Sequence, residues 1–191
     1  DFYGFPEELY GVKYSPQGSK DIAEIIAQEV DGIKIDPDRG IDHAGWAVVK
    51  HMYPDGDVPL LELSLDVLKS NRQHFSLGSR LGAPAASGIL FIGSGNMVHN
   101  LRDISYDVDD TPYDWAVRAD KWLDAKLQSK EFDQLINYET HFPDYKKSIP
   151  TNEHYLPLLY ILGMHNINND IETIFEEIQN GSISMRSIQV G

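Results

Sequence analysis

An uninterrupted apolar run, Gly88-Ile89-Leu90-Phe91-Ile92, leads directly into the glycine-rich turn Gly93-Ser94-Gly95, and this junction constrains the fold more than any other feature. A continuous apolar run bounded by glycines predicts a strand buried on both faces, as in a sheet covered by helices. A turn at the end of such a strand brings the following residues to the carboxyl edge of the sheet, where open α/β folds build their sites. The sequence therefore predicts an α/β fold with chemistry placed just after residue 95.

Helical and extended patterns alternate around this strand. Val58–Leu65 predicts another strand, and Ser70–Leu81 predicts a helical crossover between the two, which makes a β-α-β unit. The other predicted helices cover Pro6–Tyr10, the segment from Ser19 to Val30, Asp42–Met52, Tyr113–Leu127, Glu131–Tyr138 and Tyr155–Leu162, and the other predicted strands cover Ile33–Ile35 and Ile183–Val190. A chain of 191 residues suits one domain of this kind. We expect a single α/β domain in which a mixed central sheet is flanked by helices.

Composition excludes several classes of protein. The chain has no cysteine, so disulfides and thiolate metal sites are ruled out, and its seven histidines and its carboxylates remain as metal ligands. The formal net charge of -14 is spread along the chain and repels a nucleic-acid backbone. No apolar run approaches the length that spans a bilayer, and no basic start precedes an apolar signal core. We expect a cytoplasmic protein without a nucleic-acid or membrane partner; a homo-oligomer is allowed, but no motif requires one.

His99 is the first candidate for chemistry. It follows the glycine-rich turn in Gly93-Ser94-Gly95-Asn96-Met97-Val98-His99-Asn100, so the predicted strand would present it at the edge of the sheet. The turn lacks the third glycine of a dinucleotide-binding fingerprint. The alternative is a histidine that is simply satisfied within the core, and the local pattern does not decide between the two.

His154 is the second candidate. It stands between a polar loop and the predicted apolar helix Tyr155–Leu162, so its side chain can reach a cleft while the helix stays packed. A neutral imidazole in that position is a good ligand for iron or zinc. The alternative is a helix-capping arrangement with Thr151 or Asn152.

His43 is the third candidate. In Asp42-His43-Ala44-Gly45-Trp46, Asp42 is predicted to cap a helix and to leave His43 in its first turn. There the positive end of the helix dipole favours a neutral imidazole, which can accept a proton. The alternative is an ordinary polar residue at a helix start. His51, His74, His141 and His165 lie in charged or turn-rich contexts without a partner motif, and each is predicted to be a surface residue.

Taken together, these clusters resemble the class III extradiol ring-cleavage dioxygenases, and within them the 4,5-DOPA dioxygenase extradiol-like family. The resemblance is carried by Asp1-Phe-Tyr-Gly-Phe-Pro-Glu-Glu-Leu-Tyr10, Asp42-His-Ala-Gly-Trp46, Met52-Tyr-Pro-Asp-Gly-Asp-Val-Pro59, Gly93-Ser-Gly-Asn-Met-Val-His-Asn-Leu-Arg102 and Glu153-His-Tyr-Leu-Pro-Leu-Leu159. These stretches occur in the family's order and run nearly from end to end. Their combination is more specific than any one of them.

The resemblance implies a reaction and a set of roles. It implies a divalent non-haem metal, Fe(II) or Zn(II), a DOPA-like catechol substrate and O₂. His154 would be a metal ligand, and His99 would be either an acid/base catalyst beside the metal or a further ligand. His43 would shape the substrate site as a second catalytic residue.

The family also has an N-terminal segment that supplies two further histidine ligands, in His-Gly-Ser-Pro and Ser-Ala-His-Trp contexts, and neither motif occurs in this sequence. We expect the domain to lack that segment, so that an upstream stretch or a separate chain would supply it. Two other functions remain open: a catalytically inactive relative that serves as a binding or assembly subunit, and a zinc-dependent hydrolase.

Overall fold

The computed structural model describes residues 4, 6–107, 109, 111–165 and 169–191. Residues 1–3 and 5, which belong to the first stretch of the family resemblance, lie outside them. Backbone contacts divide the chain into two compact units, residues 1–64 and residues 65–191. Among the described residues, no helix is both long enough and apolar enough for a bilayer crossing.

The described residues of the first unit form three helices, and local capping explains where two of them begin. The helices are α1 (Glu7–Tyr10), α2 (Lys20–Glu29) and α3 (His43–Met52). The Ser19 hydroxyl accepts the Ile22 N–H at the start of α2, and the Asp42 carboxylate accepts the Ala44 N–H at the start of α3. All three predicted helices are confirmed. The apolar side of α2 is less buried than predicted, because Ile25 is exposed and no residue within the helix is fully buried.

The second unit contains six helices in its described residues. They are α4 (Asn71–Ala86), α5 (Asp114–Gln128), α6 (Phe132–Ile136), α7 (Tyr138–His141), α8 (Tyr145–Ser148) and α9 (Leu156–Met164). Ser70 and Gln73 form a reciprocal capping box that starts α4. This helix continues past Leu81 through Pro84, so the sequence placed its beginning correctly and its end too early.

The core of the second unit lies between the helices, and α9 is its central element. Residues buried there include Leu123, Leu127, Tyr155, Leu159 and Leu162. Helix α9 is apolar on all sides, which is typical of a helix enclosed by other elements. The buried packing of α9 therefore holds the backbone of the residues just before it in place.

Two small antiparallel sheets complete the second unit. Strand β1 (Ile171–Phe175) pairs with β4 (Ser187–Val190) in a register that sets Ile171 opposite Val190, and β2 (Ile178–Gln179) pairs with β3 (Ile183–Ser184). The predicted closing strand, residues 183–190, is thus present as two short strands. The junction between β3 and β4 is fixed by Arg186, whose buried guanidinium binds Asp120 at 2.7 Å and Asp124 at 3.1 Å.

The structure shows mixed helices and small sheets, but the predicted mixed central sheet is not seen in the described residues. Among the residues that the structure describes, neither Val58–Leu65 nor Gly88–Ile92 belongs to a strand, and Ile33–Ile35 has no strand partner either. The apolar run was expected to be buried on both faces, yet Leu90 is 63% exposed and Ile92 is 41% exposed. An extended segment becomes a strand only when a neighbour accepts its hydrogen bonds, and an apolar run alone does not specify that neighbour.

Candidate metal centre

His99 follows the glycine-rich turn, and its backbone is held from two sides. Its N–H donates to the Ser148 carbonyl at 2.9 Å, and the residue forms an isolated antiparallel bridge with Ile183. The side chain is only 2% exposed. In the part of the chain that the structure describes, neither ring nitrogen of His99 has a hydrogen-bond partner. The His99 imidazole is therefore buried without a hydrogen bond to the described residues, which is unusual for a polar group in a folded protein.

His154 lies in the turn that leads into α9. The Asn152 carbonyl accepts the N–H groups of Tyr155 and Leu156, each at 2.9 Å, and this closes the turn. The buried Tyr155 hydroxyl donates to the Leu135 carbonyl at 2.9 Å, which anchors the start of the helix. In the described residues no side-chain hydrogen bond caps α9, so the alternative of His154 in a capping arrangement is not seen there. Its side chain remains 38% exposed.

The two histidines meet although they are far apart in the sequence. The ring centroids of His99 and His154 are 4.5 Å apart, with an angle of 32° between the ring planes. Glu153 joins them, since its Oε1 lies 4.0 Å from His154 Nε2. One candidate donor atom from each of the three residues lies within 4.8 Å of the other two. We call His99, Glu153 and His154 the histidine–glutamate cluster.

Electrostatics favour the protonation states that a cation needs. Burial, followed by repulsion from His154, lowers the pKa of His99 to about 4, so its imidazole is neutral at pH 7. Burial acts to raise the pKa of Glu153, but the hydrogen bond from the Thr151 hydroxyl and the nearby histidines outweigh it and lower this pKa. The cluster therefore offers an unprotonated nitrogen and an ionised carboxylate near neutral pH.

The other predicted site residue, His43, lies in the first unit. It is the exposed first residue of α3, directly after the Asp42 cap that the sequence predicted. Its catalytic role stays a prediction.

The remaining histidines were all predicted to be surface residues. His51 and His141 are exposed, as expected. For His74 the prediction is wrong, because α4 turns this side chain into the core, where Nδ1 lies 2.9 Å from the Tyr160 hydroxyl. His165 is half-buried, and its Nε2 lies 2.9 Å from the Asn169 carbonyl.

Glu153 is the member of the cluster that the sequence interpretation missed. In the sequence it is one residue of the family stretch around His154, and no motif gives it a role of its own. A carboxylate directly beside a candidate ligand, after a polar loop, is the signal that could have identified it, because nitrogen and oxygen donors commonly share one ion.

Comparisons with known proteins agree over nearly the whole chain. Residues 1–188 match the family model described as the catalytic LigB subunit of aromatic ring-opening dioxygenase. The chain is 40% identical over 197 residues to an Escherichia coli (strain K12) protein named 4,5-DOPA dioxygenase extradiol, covering 100% of this chain and 72% of that protein. A Beta vulgaris protein of the same name is 33% identical over 192 residues, covering 98% and 71%. A crystal structure of an uncharacterised E. coli K12 protein superposes with a TM-score of 0.86 at 38% identity, covering 96% of this chain and 77% of that one.

Proposed function

This chain belongs to the family of the catalytic LigB subunit of aromatic ring-opening dioxygenase, and on that premise we propose that it is a metal-dependent extradiol dioxygenase that opens a catechol ring with O₂. Membership confirms the family resemblance noted in the sequence. Among the finer parts of the proposal, a DOPA-like catechol is proposed as substrate from the names of the relatives, and the metal-binding roles of the residues rest chiefly on one observation. That observation is the convergence of His99, Glu153 and His154 within 4.8 Å.

The donor set fits a divalent non-haem metal. Two imidazoles and a carboxylate suit Fe(II) or Zn(II), and the lack of cysteine leaves no thiolate ligand. The ring nitrogens of His99 are buried and have no hydrogen-bond partner among the described residues, and a metal ion or a substrate proton would satisfy them. Once bound, such a metal would supply Lewis acidity toward the catechol oxygens and, as Fe(II), the means of using O₂.

The chain's own residues then have distinct tasks. His154 and Glu153, both partly open to solvent, hold the metal. His99 is neutral and nearly inaccessible to water, so one of its ring nitrogens either completes the ligand set or accepts the proton of a catechol hydroxyl. His43 is proposed to shape the substrate site.

The decisive experiment measures ring opening directly. The purified protein is loaded with Fe(II) or Zn(II) without oxygen, then given L-DOPA or catechol and air, while O₂ consumption and the yellow ring-opened product are followed together. We expect the Fe(II)-loaded protein to take up O₂ and to form product in equal amounts. Fe(II) binding without O₂ uptake would contradict the proposal, and retained zinc with no reaction on catechols would favour the hydrolase. A protein with neither metal nor O₂ uptake would favour the binding subunit.

A further inference from the structure

The turn 93–96 touches the backbone of His154 directly. The Asn96 N–H donates to the His154 carbonyl at 3.0 Å. A methyl group at Gly95 would lie 2.2 Å from that same oxygen, well inside contact distance. Only glycine therefore allows the turn to approach His154 this closely.

The Asn96 side chain reaches in a second direction, toward β3. Its Nδ2 donates to the Ser184 carbonyl at 2.9 Å. Ser184 in turn donates its N–H to the Val98 carbonyl at 3.0 Å, and its neighbour Ile183 bridges to His99. Asn96 thus bonds to the backbone of His154 on one side and to the strand beside His99 on the other.

Strand β3, to which the Asn96 side chain is hydrogen-bonded, is itself held in place by side-chain hydrogen bonds. The Ser184 hydroxyl donates to Asp120 at 2.6 Å, and Asp120 also pairs with the buried guanidinium of Arg186. Asp120 lies on the buried side of α5. Because neither ring nitrogen of His99 has a hydrogen-bond partner in the described residues, the separation of this ring from the His154 ring depends on these backbone contacts.

We propose that Gly95 and Asn96 are positioning residues that set the distance between the His99 and His154 imidazoles, and thereby the affinity of the histidine–glutamate cluster for a divalent cation. This inference rests on the proposed function and deepens it. The Asn96 amide nitrogen is committed to Ser184, so the residue acts through the histidines. Residues that orient metal ligands typically change affinity by roughly 10–100-fold when removed.

The test compares metal binding by Gly95→Ala and Asn96→Ala with wild type. Zn(II) affinity is measured by competition with a chromophoric chelator, and the visible absorption spectrum of bound Co(II) reports the ligand geometry. Two variants serve as matched controls. Gly18→Ala adds a methyl group that meets nothing within 4 Å. Asn137→Ala removes a similar side-chain hydrogen bond, which Asn137 donates to the Asp133 carbonyl at 2.8 Å.

We expect Asn96→Ala to weaken Zn(II) binding about tenfold and to shift the Co(II) bands, and Gly95→Ala to do more, while Gly18→Ala and Asn137→Ala match wild type. If Gly95→Ala fails to fold, Asn96→Ala still tests this inference, because it removes only a side-chain hydrogen bond. Wild-type affinity and an unchanged spectrum in Asn96→Ala would overturn this inference and leave the proposed function standing. A wild-type chain that binds neither ion would overturn both.

Discussion

At the scale of single residues, His99 and His154 differ in how far solvent reaches them, and both are expected to be essential. His99→Ala removes the neutral buried imidazole, and a positioned acid/base group contributes roughly 10²–10⁴-fold to a rate. His154→Ala removes a metal donor. We expect kcat/KM for ring opening to fall at least about 100-fold in each variant, measured as O₂ consumption at saturating metal, while the circular dichroism spectrum stays that of a folded protein.

The control for these two variants is His51→Ala. His51 is exposed on α3, and surface substitutions of this kind change stability by less than about 0.5 kcal/mol. Its turnover should match wild type. Normal turnover by His99→Ala or His154→Ala would remove that residue from the proposed site.

Glu153→Gln tests the residue that the sequence interpretation overlooked. Glutamine keeps the size of the side chain and an acceptor for the Thr151 hydroxyl, but it removes the negative charge beside His154. We expect Zn(II) affinity to fall by about an order of magnitude with little change in stability, as measured by calorimetric titration and by urea unfolding. Unchanged affinity would show that Glu153 is a neighbour of the site and not a ligand.

The sequence predicted the two histidines of the cluster but not how they meet. His99 and His154 were candidates because each follows a turn at the edge of an apolar element, which is a local pattern. Their 4.5 Å ring separation depends on backbone contacts between distant segments, such as Asn96 with the His154 carbonyl. Contacts of this kind leave no periodic signal, so only the family resemblance linked the two histidines beforehand.

At the scale of elements, α4 and α9 touch through glycines. A methyl group at Gly78 would lie 2.3 Å from the Tyr160 carbonyl oxygen, whereas one at Gly82, in the next turn of α4, would lie 3.6 Å from the Met164 carbonyl oxygen. We expect Gly78→Ala to reduce the free energy of unfolding by about 1–3 kcal/mol, because the helices must separate. Gly82→Ala should be neutral or stabilising by up to about 1 kcal/mol through helix propensity. Urea unfolding of both variants measures the difference, and equal effects would contradict the close approach.

Helices were predictable in this chain, and strands largely were not, for a physical reason. Ser19, Asp42 and Ser70 cap their helices through bonds to residues two or three positions away, so the sequence itself contains the signal. Strand pairing joins residues that are distant in the sequence, such as Ile171 and Val190. The sequence around Gly88–Ile92 alone therefore cannot reveal whether a partner strand lies beside this segment. Hence the apolar run was assigned to a sheet that the described residues do not form.

At the scale of the whole molecule, buried His74 makes stability depend on pH. Burial, followed by the charge of Lys69, lowers the pKa of His74 below its ordinary value of 6.5, although the nearby Asp66 acts in the opposite direction. The unfolded chain therefore binds a proton at His74 more readily than the folded chain does. The contribution of this histidine to stability is fully present above about pH 6.5 and is lost progressively as the pH falls below it.

We expect His74→Gln to weaken that dependence in metal-free protein without abolishing it, because His99, whose pKa burial lowers to about 4, also makes stability fall in acid. The measurement is urea unfolding between pH 5 and 8 at fixed ionic strength, a range of roughly one to two units on either side of the ordinary histidine pKa. His141→Gln, at an exposed position, should keep the wild-type profile. Identical profiles for wild type and His74→Gln would show that His74 does not control this loss of stability.

Metal binding should also stabilise the molecule as a whole, because an ion that binds only the folded state adds its binding free energy to the free energy of unfolding. The histidine–glutamate cluster draws on residues 99, 153 and 154, whose geometry exists only after folding. At a free Zn(II) concentration of about 100 times Kd the gain is about 2.7 kcal/mol, which corresponds to a rise in Tm of about 5–10 °C for a chain of this size. Calorimetry should show this rise with Zn(II) but little with Mg²⁺, which prefers oxygen ligands. His154→Ala should lose most of the rise, and an equal rise in that variant would mean that the ion binds elsewhere.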